Sequence, residues 1–116
     1  MPPSHFVLLY VDHPEESARF YERVLERKPL ELSPTFAMFA LREGVMLGLW
    51  SKHTVEPATE AAPGATEIAF TAPDAAAVDA TCARWKAAGV RIAQPPCRLD
   101  FGYTALGLDP DGHRLR

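Results

Sequence analysis

The chain carries one plan twice. At its start "HFVLLYV" (5–11) reads as a strand and Asp12 stands seven residues after His5. The stretch "HPEESARFYERVLER" (13–27) then gathers Ser17, Phe20, Tyr21, Val24 and Leu25 on one helical face, with Arg19, Glu22, Arg23 and Glu26 on the other. Past the midpoint, "TEIAFTA" (66–72) is again a strand and Asp74 stands seven residues after Glu67. It opens a second helix that places Val78, Cys82 and Trp85 on one face before Gly89 stops it. A repeat of about half the chain constrains the fold more than any single motif, because each half-sheet has an apolar face that it buries only with a twin. The expected fold class is α+β: one domain over 1–116, built as two tandem βαβββ modules side by side. The first module spans 4–50 and the second 65–116. Residues 51–64, "SKHTVEPATEAAPG", lack periodicity of either kind and read as a connector.

Within each module the strands after the helix follow from turn chemistry. "TFAMFAL" (35–41) and "VMLGLW" (45–50) are apolar runs joined at "REG", with Gly44 placed for a left-handed turn position. In the second half "VRIAQ" (90–94) and "FGYTALGL" (101–108) lead to the turn "DPDG" and a last strand "HRLR". That turn has none of the spaced carboxylates of a calcium loop.

The stretch "VMLGLW" is the unusual one. Gly48 bares backbone inside a strand, where something approaches closely. Met46 and Trp50 lie two residues to either side and therefore share its face. An indole beside bare backbone suits a flat ring: aromatic stacking on tryptophan adds about 0.5–1.5 kcal/mol beyond the burial of area. On the adjacent strand, one hairpin register sets Phe36 and Met38 opposite Trp50 and Gly48, and a register one residue different sets Ala37 and Phe39 there. Phe101 and Tyr103 alternate and are expected to share one face. Trp85, on a helical face with Val78 and Cys82, is expected in the core.

Composition removes several function classes. A net charge of −3 leaves no basic footprint for nucleic acid. The N-terminus "MPPSHFVLLY" has neither the positive region of a secretory signal nor an apolar run long enough to span a membrane, so a cytoplasmic protein is expected. Cys82 and Cys97 have no C-x-x-C spacing and read as reduced thiols. His13, His53 and His113 fall in loops or a turn and read as solvated.

Taken in order, the strand with "SARFYERVL" (17–25), the hairpin "ALREGVMLGLW" (40–50), the strand "EIAF" (67–70) and "LDPDGHRLR" (108–116) resemble the vicinal oxygen chelate superfamily of glyoxalases, bleomycin resistance proteins and extradiol dioxygenases. The resemblance covers nearly the whole chain and implies a cleft between modules and a homodimer. It also implies four metal-ligand positions, one on the first and one on the last strand of each module, filled in the enzymes by His and Glu. Carried onto this sequence they are His5, Gly48, Glu67 and Arg116. Glycine offers no ligand atom and a guanidinium has no acceptor lone pair. The two donors left fall short of the three usual for catalytic zinc. The expectation is therefore no metal, no cofactor and no catalysis, but a protein similar to the bleomycin resistance branch that binds and sequesters a planar aromatic antibiotic or related small molecule. Trp50, Gly48, Phe36, Met38, Phe39, Met46, Phe101 and Tyr103 would line the site, while His5, Glu67 and Arg116 meet the polar edge of the ligand. Glu67 and Arg116 are expected to form an ion pair. The alternative is a metal-dependent glyoxalase or dioxygenase using His5, Glu67 and a third group.

Overall fold

The computed structural model describes residues 4–116, which separate into two compact units meeting in sequence between Ala61 and Ala62. The first contains β1 (His5–Val11), α1 (Pro14–Leu25), β2 (Glu31–Leu32), β3 (Phe36–Arg42) and β4 (Val45–Ser51). The second contains β5 (Glu67–Ile68), α2 (Ala75–Ala87), β6 (Arg91–Leu99), β7 (Gly102–Leu108) and β8 (Arg114–Leu115). Each is a βαβββ module with a four-stranded mixed sheet. The orders are β1-β4-β3-β2 and β5-β8-β7-β6, with the first and last strands of each module parallel and the other pairs antiparallel.

In the first module α1 packs on β3 and β4. Its buried face is Pro14, Ser17, Ala18, Phe20, Tyr21 and Val24. Beneath it lie Leu9 and Val11 of β1, Ala37 and Phe39 of β3, and Leu47 and Leu49 of β4, all buried. Phe20 meets Tyr21 edge to face at 5.1 Å, and Tyr21 tilts against Phe39 at 6.5 Å. Burying such aromatic and aliphatic side chains contributes roughly 1.5–3 kcal/mol each before the entropy of ordering them is subtracted.

In the second module the helix buries fewer of its own side chains. Only Cys82 and Trp85 of α2 are buried. The six-membered ring of Trp85 lies over Gly107 of β7, where a Cβ would stand 3.1 Å from Cε3 and 2.9 Å from Cγ1 of Val90. Phe70 meets the indole edge to face at 6.0 Å. Trp85 Nε1 is buried without a hydrogen-bond partner among the described residues, so this anchor is retained at the cost of a desolvated donor. Asp74 caps α2 by accepting from the Ala77 amide at 2.8 Å.

The N-cap of α1 is His13, whose side chain makes no capping bond. Two local features differ from the sequence reading. The segment 66–72 contributes only Glu67 and Ile68 to the ladder. β6 runs on through Pro95 and Pro96, which it accommodates beside two register shifts on an edge strand, where missing N–H donors do least harm.

Candidate functional site

The face of the first sheet turned away from α1 is aromatic and apolar. Cα pairing sets Leu8 beside Gly48 and Tyr10 beside Trp50 across β1 and β4. Across β3 and β4 it sets Phe36 opposite Trp50, Met38 opposite Gly48 and Ala40 opposite Met46. Of the two hairpin registers, the structure adopts the one that brings Phe36, Met38, Met46, Gly48 and Trp50 to one face. Trp50 is half-buried, with Tyr10 edge to face at 6.2 Å. Gly48 does not leave an open slot. A Cβ built there would lie 2.6 Å from Leu8 Cδ2 and 3.0 Å from Phe36 Cζ, so these two side chains lean into the space that the glycine provides. The platform therefore consists of Trp50, Tyr10, Phe36 and Leu8, with Gly48 as its floor.

Two expected site residues lie elsewhere. Phe39 belongs to the opposite face, is 0 % exposed and packs on Tyr21. A strand alternates faces with period two, so selecting Phe36 and Met38 sends Phe39 into the core. His5 shares the parity of Val7, Leu9 and Val11, again opposite to Gly48, and its backbone amide closes β1 onto Gly44 at 2.7 Å. The helix N-caps explain the error. Counting back seven residues from Asp74 reaches Glu67, but counting back seven from the true cap His13 reaches Phe6. Phe6, 52 % exposed, thus holds the place on β1 that Glu67 holds on β5. Tyr10 and Leu8 were missed for the same reason, and the signal that could have found them was Pro14, favoured at N1 and thereby marking residue 13 as the cap.

The corresponding face of the second sheet is charged. Leu115 is buried and pairs with Gly107, which faces α2, so Arg114 and Arg116 on either side of it project away from the helix. Arg116 grips Glu67 with both ends of its fork, Nε to Oε1 and Nη2 to Oε2, each at 2.8 Å. The expected ion pair is present. Arg114 Nε approaches the same Oε2 at 3.2 Å. Arg116 also reaches Gln94 Oε1 at 3.4 Å, and its guanidinium lies over the ring of Phe101 at 5.9 Å. The Arg116 hydrogen bond, with smaller electrostatic help from both arginines, holds the Glu67 carboxyl below the usual carboxylate range against the opposing cost of burial.

Phe101 and Tyr103 do not share a face. Phe101 sits in the turn before β7 under Arg116, whereas Tyr103 donates to Asp79 of α2 at 2.7 Å. That bond raises the phenol above its ordinary pKa, since losing the proton would set two anions side by side. A mainly apolar pocket beside α2, lined by Phe70, Val78, Thr81, Cys82 and Trp85 and edged by Arg116, has a volume of about 80 Å³. Ligand pockets for drug-sized molecules run to roughly 300–1,000 Å³, so it is too small to take one.

The donor chemistry does not suit a divalent metal. Glu67 is already saturated by two cations, Gly48 supplies no atom, and His5 lies on the wrong face of β1. Among the described residues no three His, Cys, Asp or Glu side chains gather as a metal site would require. No helix among them is long and apolar enough to cross a membrane.

Comparison with known proteins gives a consistent placement. The chain is 30% identical over 112 residues to the phenazine antibiotic resistance protein EhpR of Enterobacter agglomerans, a match covering 94% of this chain and 85% of that protein. The solution structure of a protein from Agrobacterium tumefaciens is 49% identical, with a TM-score of 0.87 and coverage of 100% and 95% of the two chains. A glyoxalase/bleomycin resistance protein/dioxygenase from Nocardioides superposes with a TM-score of 0.81 at 25% identity, over 99% of this chain and 81% of that one. The sequence profile of the Glyoxalase/Bleomycin resistance protein/Dioxygenase superfamily matches residues 4–116, and the chain belongs to that superfamily.

Proposed function

We propose that this protein binds a planar aromatic compound on the far face of its first sheet and confers resistance by holding it, without turning it over. The observation that carries the reading is the platform of Trp50, Tyr10, Phe36 and Leu8, kept at the surface of a sheet whose other face is already a complete core. Exposed aromatic and apolar side chains side by side in a monomer mark a place where something docks. Met38 and Met46 suit the rim, because a thioether adapts to ring edges. A resistance protein directed at phenazines among the relatives supports a fused-ring ligand. The poor donor set for a metal supports binding in preference to metal-dependent chemistry.

Tryptophan fluorescence tests the proposal. The protein is titrated with phenazine, quinoxaline and mitomycin-type compounds and bleomycin, and wild type is compared with Trp50→Ala. Trp85, buried between α2 and its sheet, remains as an internal reference. Saturable quenching at micromolar or better affinity, lost in Trp50→Ala, is the expected result. No quenching by any compound, or equal quenching in the variant, overturns it.

A further inference from the structure

The far face of the second sheet carries a charge imbalance that the aromatic platform does not explain. Two guanidiniums address one carboxylate. Arg116 takes both oxygens of Glu67 in a bidentate grip and is mostly buried, with its side chain 18 % exposed. This pair is complete by itself, since a fork matched to a carboxylate satisfies both partners. Arg114 then meets only an oxygen that is already shared, through one of its five donors, at 3.2 Å. Among the described residues no other acceptor meets its remaining N–H groups, and its side chain is 40 % exposed. The cluster has a net charge of +1, and one planar fork of donors is left over.

An anion would complete it. With Nε turned to Glu67, Arg114 would meet a carboxylate end-on through its two terminal nitrogens, which present a two-pronged face of their own, and the added anion would relieve the repulsion between the guanidiniums. Phe101, 70 % exposed and stacked beneath Arg116, adds an aromatic surface beside the charge. We infer that the far face of the second sheet is a site for an aromatic carboxylate, with Arg114 as its acceptor-seeking fork and the Arg116–Glu67 pair as the fixed wall that aims it. The site stands on residues 67–116 alone and does not depend on ligand binding at Trp50.

The test uses 1-naphthoate and its uncharged analogue 1-naphthamide as probes, followed by NMR of the arginine Nε–H and Phe101 ring signals in the intact protein. The expected result is saturable shifts of the Arg114 and Phe101 signals with naphthoate, at least tenfold weaker binding of naphthamide, and weakening of naphthoate as salt rises. Arg114→Gln should cost naphthoate at least tenfold and leave the amide signals of the sheet in place. Arg114→Lys, which keeps the charge but not the fork, should recover part of the loss. Trp50→Ala should leave naphthoate binding unchanged. The inference is overturned if acid and amide bind alike, if neither binds, if Arg114→Gln binds naphthoate as wild type does, or if Trp50→Ala and not Arg114→Gln abolishes binding.

Discussion

The two sheets have one topology and opposite far faces. In the first, β1 and β4 present Leu8, Tyr10, Gly48 and Trp50; in the second, the equivalent strands present Glu67, Arg114 and Arg116. The helix-facing sides differ in the other direction: α1 buries a dense apolar stripe, whereas α2 rests mainly on Trp85. A sheet with a strong core can leave aromatic surface exposed on its far side. A sheet with a thinner core gains from a far side that is paired and hydrogen-bonded. The difference shows that the duplicated backbone fixes where side chains point and leaves their chemistry unconstrained.

The most direct way to break the comparison is to exchange neighbours on β3 that face opposite ways. Phe39→Ala should cost about 3–5 kcal/mol in urea unfolding, the usual loss for a fully buried phenylalanine. Phe36→Ala should cost about 1 kcal/mol or less while weakening any ring bound beside Trp50. Equal losses would mean that both faces are core. Next, Gly107→Ala should cost about 1–3 kcal/mol, because its Cβ would be forced against Val90 and the Trp85 ring between helix and sheet. Glu67→Gln should cost about 1 kcal/mol, between the values of a solvated and a desolvated pair. Its pH dependence has a definite sign. The Glu67 pKa lies below its ordinary 4.5, so the pair contributes fully above that value and is lost as pH falls through the lowered one. The stability difference between wild type and Glu67→Gln, compared at pH 7 and pH 3, should therefore shrink on acidification. The smallest effect is expected for Gly48→Ala, under about 1 kcal/mol, because the atoms in its way are the mobile ends of Leu8 and Phe36. Its signature is a changed ligand affinity at nearly unchanged stability.

Much of this was legible in the sequence, and the rest was hidden for identifiable reasons. The βαβββ repeat, the α1 stripe and the Gly44 hairpin follow from periodicity and turn chemistry, and the Glu67–Arg116 pair from the ligand positions that the family resemblance implies. β2 was missed because Glu31 and Leu32 form a two-residue edge strand too short to show alternation. β6 was cut short because Pro95 and Pro96 speak locally against a strand, while pairing with β7 overrides them. At the site, matching the spacing of His5 and Asp12 to that of Glu67 and Asp74 inverted the face of β1, because the counterpart of Asp74 is His13. His5 was drawn in and Tyr10 left out by a single-residue shift, which in a strand moves every side chain to the other side. Nothing in composition distinguishes Phe101 from Tyr103. Only Asp79, 24 positions away on α2, draws Tyr103 toward the helix.

The turn before β8 has a consequence for how such a scaffold can change. Asp109 is buried, and one of its oxygens accepts from the amides of both Asp111 and His113, at 2.9 and 2.8 Å. Backbone pairing of Asp109 with His113, at 2.9 Å, closes the loop again. The direction in which β8 leaves the turn is therefore set before Arg114 and Arg116 are reached, by hydrogen bonds in which neither arginine side chain takes part. Aim and chemistry are written in separate places. An imidazole or a carboxylate installed at 114 or 116 would inherit the same line of fire without any rebuilding of the fold, so a short strand behind a rigid turn becomes an exchangeable cartridge for new specificity.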